Sequence, residues 1–261
     1  MKKQALAFCI VCLFTVACTQ KTVHHFTHEV MNRMTPIKNQ GKSQTCWAYA
    51  MLAAIETEHI RQGDSVNLSA AYIEKMLEHE QHAPASKRGM GQTLLNMMAK
   101  YGIVAYDAMR TPDTPVPRRV FMYGAEYTPQ EFAHSVCAPG EYVALTTCSS
   151  QPYYQQMVVD APDNWEGNSF YNLPADTLLS LTERAVREGR GVCWESKSHA
   201  MAMVGLARDE EGTPYFVMKN SWGTNRPYGG LDYLSYQKFR RLTLAVYMPR
   251  DLVGNLLPTS F

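Results

Sequence analysis

The order of segments along the chain predicts an α+β fold, a helical half followed by a sheet-rich half. Two observations carry this. Breaker-free segments rich in Ala, Met, Leu and Glu lie before Gly102, whereas β-prone apolar runs crowd the region after Val192. Between them, from Arg110 to Asn172, most of the prolines and many tyrosines mark loops with short strands. No internal repeat or low-complexity tract breaks this order.

Taken in order, the chain begins with Met1-Lys2-Lys3 and an apolar run from Ala5 to Ala17, the pattern of a secretory leader. Residues 1–17 are therefore expected to be a signal peptide. Thr15-Val16-Ala17-Cys18 resembles a bacterial lipobox, although Thr15 stands where that pattern prefers Leu. Lipidation of Cys18 and simple cleavage after Ala17 are both open. The expected location is the bacterial cell envelope or periplasm, with a lipid on Cys18 as the only membrane attachment. After Cys18 no stretch approaches the ~20 apolar residues of a spanning helix.

A first helix is expected from Cys46 to about Ile60, where CWAYAMLAAIETEHI lacks breakers. A second runs from about Asn67 to Glu80, and a third from Gln92 to Tyr101, stopped by Gly102. Asp176 to Glu188 returns to helix, with Leu178, Leu181, Ala185 and Val186 on one face and Gly189 closing it. Strands follow at Val192–Trp194, Ala200–Ala207, Tyr215–Lys219 and Leu242–Met248. This divides the chain into 18–135, mainly helical, and 136–261, mainly β. The tail beyond Met248 carries Leu252, Val253, Leu256 and Leu257, apolar enough to dock on the surface.

With 261 residues, 46% hydrophobic and 19% charged, the chain has ample apolar surface to fold, which excludes general disorder. A net charge of +1 without basic blocks argues against a nucleic-acid partner. His24, His25 and His28 lack partnering ligands at metal spacing, so no metal and no cofactor is expected. His79 and His82 are expected to be solvated. Cys9 and Cys12 read as small hydrophobes of the leader, and Cys193 as a buried structural thiol. The spacing of Cys137 and Cys148 allows a disulfide without requiring one.

The chemistry concentrates in four places. Cys46 opens a helix after the polar loop Asn39–Thr45, where the helix N-terminus favours a thiolate. His199 opens an apolar strand; such a residue paired with a Cys can exchange its proton. Asn220, in Lys219-Asn220-Ser221-Trp222-Gly223, can accept from an imidazole N–H while Trp222 keeps water away. Gln40 can offer an amide N–H to an oxyanion beside the sulfur. Each piece alone is weak, but the ordered set is specific.

At these residues the sequence resembles the papain-like cysteine peptidases. Thr35–Gly41 followed by Cys46-Trp47-Ala48 resembles their nucleophile motif, and Lys219–Thr224 their Asn motif. The resemblance runs from about Met34 to Met248 and implies a two-lobed fold, a helical lobe and a β-barrel-like lobe with a cleft between. It implies Cys46 as nucleophile, His199 as acid and base, and Asn220 as orienting group. Gln40 with the Cys46 N–H would form the oxyanion hole, and Trp222 and Trp47 would shield the site or contact substrate.

His199-Ala200-Met201, Tyr101–Val104, Pro162–Trp165 and Tyr171–Pro174 bring it closest in look to the bleomycin hydrolase and aminopeptidase C branch, as a compact relative. In that branch the tail blocks one end of the cleft, so a tail-gated aminopeptidase and an open endopeptidase are both open. Ser43 replaces a Cys that usually forms a disulfide, and Gln44 replaces a Gly in the cleft floor. The stretch from Cys18 to Cys46 is short for a long inhibitory prosegment, so restraint is expected to come from elsewhere. The function implied is hydrolysis of peptide or protein substrates through a thioester. The alternatives are a silent peptide-binding relative, or amide transfer or deamidation at the same site.

Overall fold

The structure, a computed structural model, describes residues 24–122, 124–254 and 256–257. The leader and Cys18 lie outside the described residues, and among these no helix is long and apolar enough to cross a membrane. The chain enters as strand β1 (Thr27–Met31), then forms α1 (Cys46–Arg61), α2 (Ala70–Met76) and α3 (Gly91–Tyr101). A small hairpin, β2 (Val120–Met122) and β3 (Ala125–Tyr127), precedes α4 (Pro129–Val136). Strands β4 (Tyr142–Thr146), β5 (Gln155–Val158) and β6 (Ser169–Asn172) lead to α5 (Ala175–Arg187). Then come β7 (Val192–Glu195), β8 (Ala200–Arg208), β9 (Pro214–Lys219), β10 (Leu231–Ser235), α6 (Tyr236–Leu242) and β11 (Ala245–Pro249).

One nine-stranded sheet runs in the order β10-β9-β8-β7-β11-β4-β6-β5. Strand β8 pairs with β9 along one edge and serves two neighbours along the other: its first residues pair with β7, and Gly205 to Arg208 pair antiparallel with β1. The centre of the sheet is buried on both faces because its strands alternate between two cores. Cys193, Ala200, Ala245 and Tyr247 join the core of α1 to α4, whereas Val192, Trp194, Met201, Val246 and Met248 join that of α5 and α6.

Helix α1 lies against β7 and β8, buried nearly all round, including the carboxylates Glu56 and Glu58. Each is compensated, as a buried charge must be. Glu56 accepts from Lys38 Nζ at 2.5 Å, from Leu68 N at 2.7 Å and from Thr35 Oγ1. Glu58 accepts from Arg190 Nε at 3.0 Å and from Gly191 N at 3.0 Å. Gly191 must be glycine, because a Cβ there would lie 2.0 Å from the Ala54 carbonyl oxygen of α1.

Several expectations shift. The second helix starts at Ala70, because Ser69 accepts from Tyr72 N and caps it there. The loop-like middle holds α4, opened by Thr128 and Glu131 in a reciprocal capping box with Pro129 in the first turn. Strand β11 begins at Ala245 and not at Leu242, since α6, capped by Ser235, occupies Tyr236–Leu242. Strand β1 forms where the sequence showed no alternation, held by pairing with β8.

The disulfide left open between Cys137 and Cys148 is absent: both thiols are free. Cys137 packs against the α1–α4 core, whereas Cys148 Sγ lies 3.2 Å from Ser150 Oγ. His28 Nε2 lies 2.8 Å from Tyr233 Oη.

The tail docks, but not at the cleft. Val253, Leu252, Leu256 and Leu257 pack into the α5 core, and Tyr171 Oη donates to Leu256 O at 2.8 Å. Cys46 packs against the opposite core, so the described tail lies across the sheet from it.

Candidate active site

The loop before α1 is tied to the loop after β9. Gln40 N donates to Ser221 O at 2.8 Å and Gly223 N to Lys38 O at 3.1 Å. Ser221 Oγ donates to Gln40 Oε1 at 2.5 Å, and Gln40 Nε2 donates to Ser43 O at 2.5 Å. An amide nitrogen has two N–H groups, so one remains for a second acceptor. Cys46 follows as the first residue of α1, half-buried.

His199 closes the turn between β7 and β8, where Ser196 N donates to His199 O at 2.9 Å and His199 N to Ser196 Oγ at 3.1 Å. Its Nε2 lies 2.8 Å from Asn220 Oδ1. The Trp222 indole stacks on the imidazole at 4.4 Å between ring centres, and the Arg226 guanidinium covers the indole at 4.5 Å. Trp222 is 39% exposed, so it caps the histidine from the solvent side. Cys46 and His199 line one narrow cleft, together with Gln44 and Ala200.

Trp47 is 2% exposed and also borders this cleft, but its indole N–H donates to Lys87 O at 3.1 Å. It braces the opposite wall from within the core.

Three ionisable groups of the cleft, Arg88, Asp163 and Glu195, were not revealed by the sequence. Arg88 Nε donates to Asp163 at 2.8 and 3.1 Å, its Nη2 to Asp163 Oδ2 at 2.5 Å and to Lys197 O at 3.1 Å. This bracket joins the loop before α3 to the turn that carries His199. Trp165 Nε1 secures it by donating to Arg88 O at 3.1 Å. The Pro162–Trp165 stretch was visible as a resemblance, but its partner across the cleft was not. Glu195 on β7 is 3% exposed and accepts from Gly91 N at 2.7 Å and Tyr247 Oη at 2.9 Å. Burial pushes its carboxyl up to about 8.

The resting electrostatics differ from the sequence expectation of a thiolate. Burial pushes the Cys46 thiol up, and Glu195 adds to this when ionised; contacts with the Ala200 and Trp47 backbones and the Arg88 charge oppose it. Burial likewise pushes His199 down, helped by Arg226 and Arg88, while Asn220 and Asp232 oppose that. Both groups are therefore biased toward their neutral forms.

A family model described as papain family cysteine protease matches residues 24–243. Chymopapain of Carica papaya is 27% identical over 202 residues, covering 74% of this chain and 49% of its own length. Ananain of Ananas comosus is 24% identical over 205 residues, covering 76% and 51%. The chain thus spans about half the length of the curated relatives it matches. Among solved structures, PepW of Lactobacillus rhamnosis superposes with a TM-score of 0.66 at 15% identity, covering 88% of this chain and 85% of that one.

Proposed function

Since the chain belongs to the papain family of cysteine proteases, we propose that it hydrolyses peptide bonds through a thioester on Cys46. One observation carries the reading: an imidazole held by an Asn carbonyl under an indole borders the same cleft as a cysteine at a helix start. With Nε2 engaged by Asn220, Nδ1 of His199 takes the thiol proton as sulfur attacks the substrate carbonyl carbon. The oxyanion forms against the Cys46 N–H and the spare N–H of Gln40. His199 then protonates the leaving amine, and the C–N bond breaks. Water, losing a proton to His199, attacks the thioester; the acid leaves and sulfur regains its proton. Trp222 keeps competing water off the His199–Asn220 bond.

The test is turnover of fluorescein-labelled casein and of a mixed peptide library by the native chain and by Cys46→Ala. Loss of cleavage in a folded Cys46→Ala variant is expected; retained cleavage would remove Cys46 from the reaction.

Aminopeptidase-like action is the narrower reading. It is supported by the Arg88–Asp163–Lys197 bracket, which would limit how much substrate chain the cleft admits beside Cys46. The described tail residues, packed on the α5 side of the sheet, lend it no support. Export and anchoring through a lipid on Cys18 are likewise proposed, on the leader sequence alone; radiolabelled palmitate should enter the native chain and not Cys18→Ala.

A further inference from the structure

Asn220 is held at both ends of its amide. Oδ1 accepts from Ser221 N at 2.7 Å and faces His199 Nε2 at 2.8 Å, while Nδ2 donates to Asp232 Oδ2. The residue is 2% exposed, so these partners replace water completely. An ionised carboxylate only accepts. Asp232 therefore disfavours the flipped amide, which would set Nδ2 against the protonated Nε2 of His199. It does so from β10, where it lies in register with Met218 of β9, two residues before Asn220.

We propose that Asp232 is a positioning residue for peptide hydrolysis: through Asn220 it orients the His199 imidazole and supplies negative charge that steadies the imidazolium formed during attack. The inference rests on the Cys46–His199 reading above and adds a fourth member to it. Other charges bear on His199 from every side. Arg226, in the loop before β10, and Arg88, across the cleft, both disfavour its protonated form. Cys46 on α1, Asp163 and Glu195 share its cleft, Asp163 being already paired with Arg88. Lys219, beside Asn220 on β9, is turned to Thr35 and Glu56. Asp232 is thus the carboxylate that offsets the two arginines at this imidazole. A neutral acceptor in its place would keep the hydrogen bond but not the charge.

The experiment uses the full chain with a peptidyl aminomethylcoumarin chosen from a library, following kcat and KM from about pH 4 to about pH 9. Asp232→Asn should lower kcat about tenfold with KM within about twofold, and should move the acid limb of kcat/KM to lower pH. The limb moves that way because a less stabilised imidazolium loses its proton earlier. Asp232→Glu, which keeps the charge, should retain the native limb. An unmoved limb in Asp232→Asn, with or without a fall in kcat, would reduce Asp232 to a structural role and overturn the inference. If circular dichroism shows that Asp232→Asn does not fold, Asp232→Glu decides: a native limb supports the inference and a limb moved to lower pH overturns it. Cys46→Ala separates the two levels. Turnover surviving in that variant sinks the thioester reading itself, whereas its loss alongside an unmoved Asp232→Asn limb sinks the present inference alone.

Discussion

Glu195 should make this protein less stable as the pH rises through neutrality. Its carboxyl is buried between Gly91 N and Tyr247 Oη, and burial raises it from the ordinary 4.5 to about 8. The folded state therefore holds a proton that the unfolded chain releases. That preference contributes fully below about pH 4.5 and is lost as the pH climbs through about 8. At 1.36 kcal/mol for each pH unit of difference, the upper bound is about 5 kcal/mol across that window. Glu195→Gln removes the titrating group while keeping its shape, and Tyr247 Oη can accept from the new amide. Urea unfolding of both proteins at about pH 5, 6.5 and 8 supplies the comparison. The native curve should fall relative to that of Glu195→Gln by several kcal/mol, most steeply between about pH 5.5 and about pH 7, and flatten as the pH reaches about 8. Two parallel curves would mean that Glu195 is ionised in the fold, and would refute the argument from burial.

Three further groups offer independent checks. Gln40→Ala should lower kcat by roughly 10²–10³, measured at saturating substrate, if its spare N–H meets the oxyanion. Arg88→Ala should release Asp163 and open one end of the cleft, raising cleavage of N-terminally blocked peptides relative to free ones; an unchanged ratio would dismiss the bracket as a limit on substrate length. Glu56→Ala should cost about 3–5 kcal/mol in urea unfolding, because it strands Lys38 and Lys219 as buried, uncompensated cations.

The sequence disclosed the parts of the site that are local. Cys46 at a helix start, Gln40 in the loop before it, His199 at the head of an apolar strand and Asn220 beside Trp222 could each be named from neighbouring residues. Long α1, α3 and α5 were legible because helical pattern and stop signals agree over many residues. Helix α4 left a readable signal in Thr128-Pro129-Gln130-Glu131, but its one apolar stripe is short and sits in a Pro-rich region. Strand β1 left none, since its register comes wholly from β8.

The same reasoning explains the missed charges. Arg88 meets Asp163, and Asp232 meets Asn220, only after sheet and loops are assembled. The depth of Cys46 was equally invisible: a helix start can be read along the chain, but burial cannot. Hence the sequence pointed to a thiolate, where the fold biases the resting thiol toward its neutral form.

The most direct measurement is inactivation by iodoacetamide followed by peptide mapping, with residual cleavage read from the same samples. Loss of activity should track alkylation of Cys46 one for one, and should be slowed by peptide substrate. Because burial raises the thiol, labelling should quicken as the pH climbs through the range of an ordinary cysteine rather than being complete near pH ~6. Full activity with Cys46 alkylated, or inactivation that follows Cys148 instead, would contradict the assignment of Cys46 as the nucleophile.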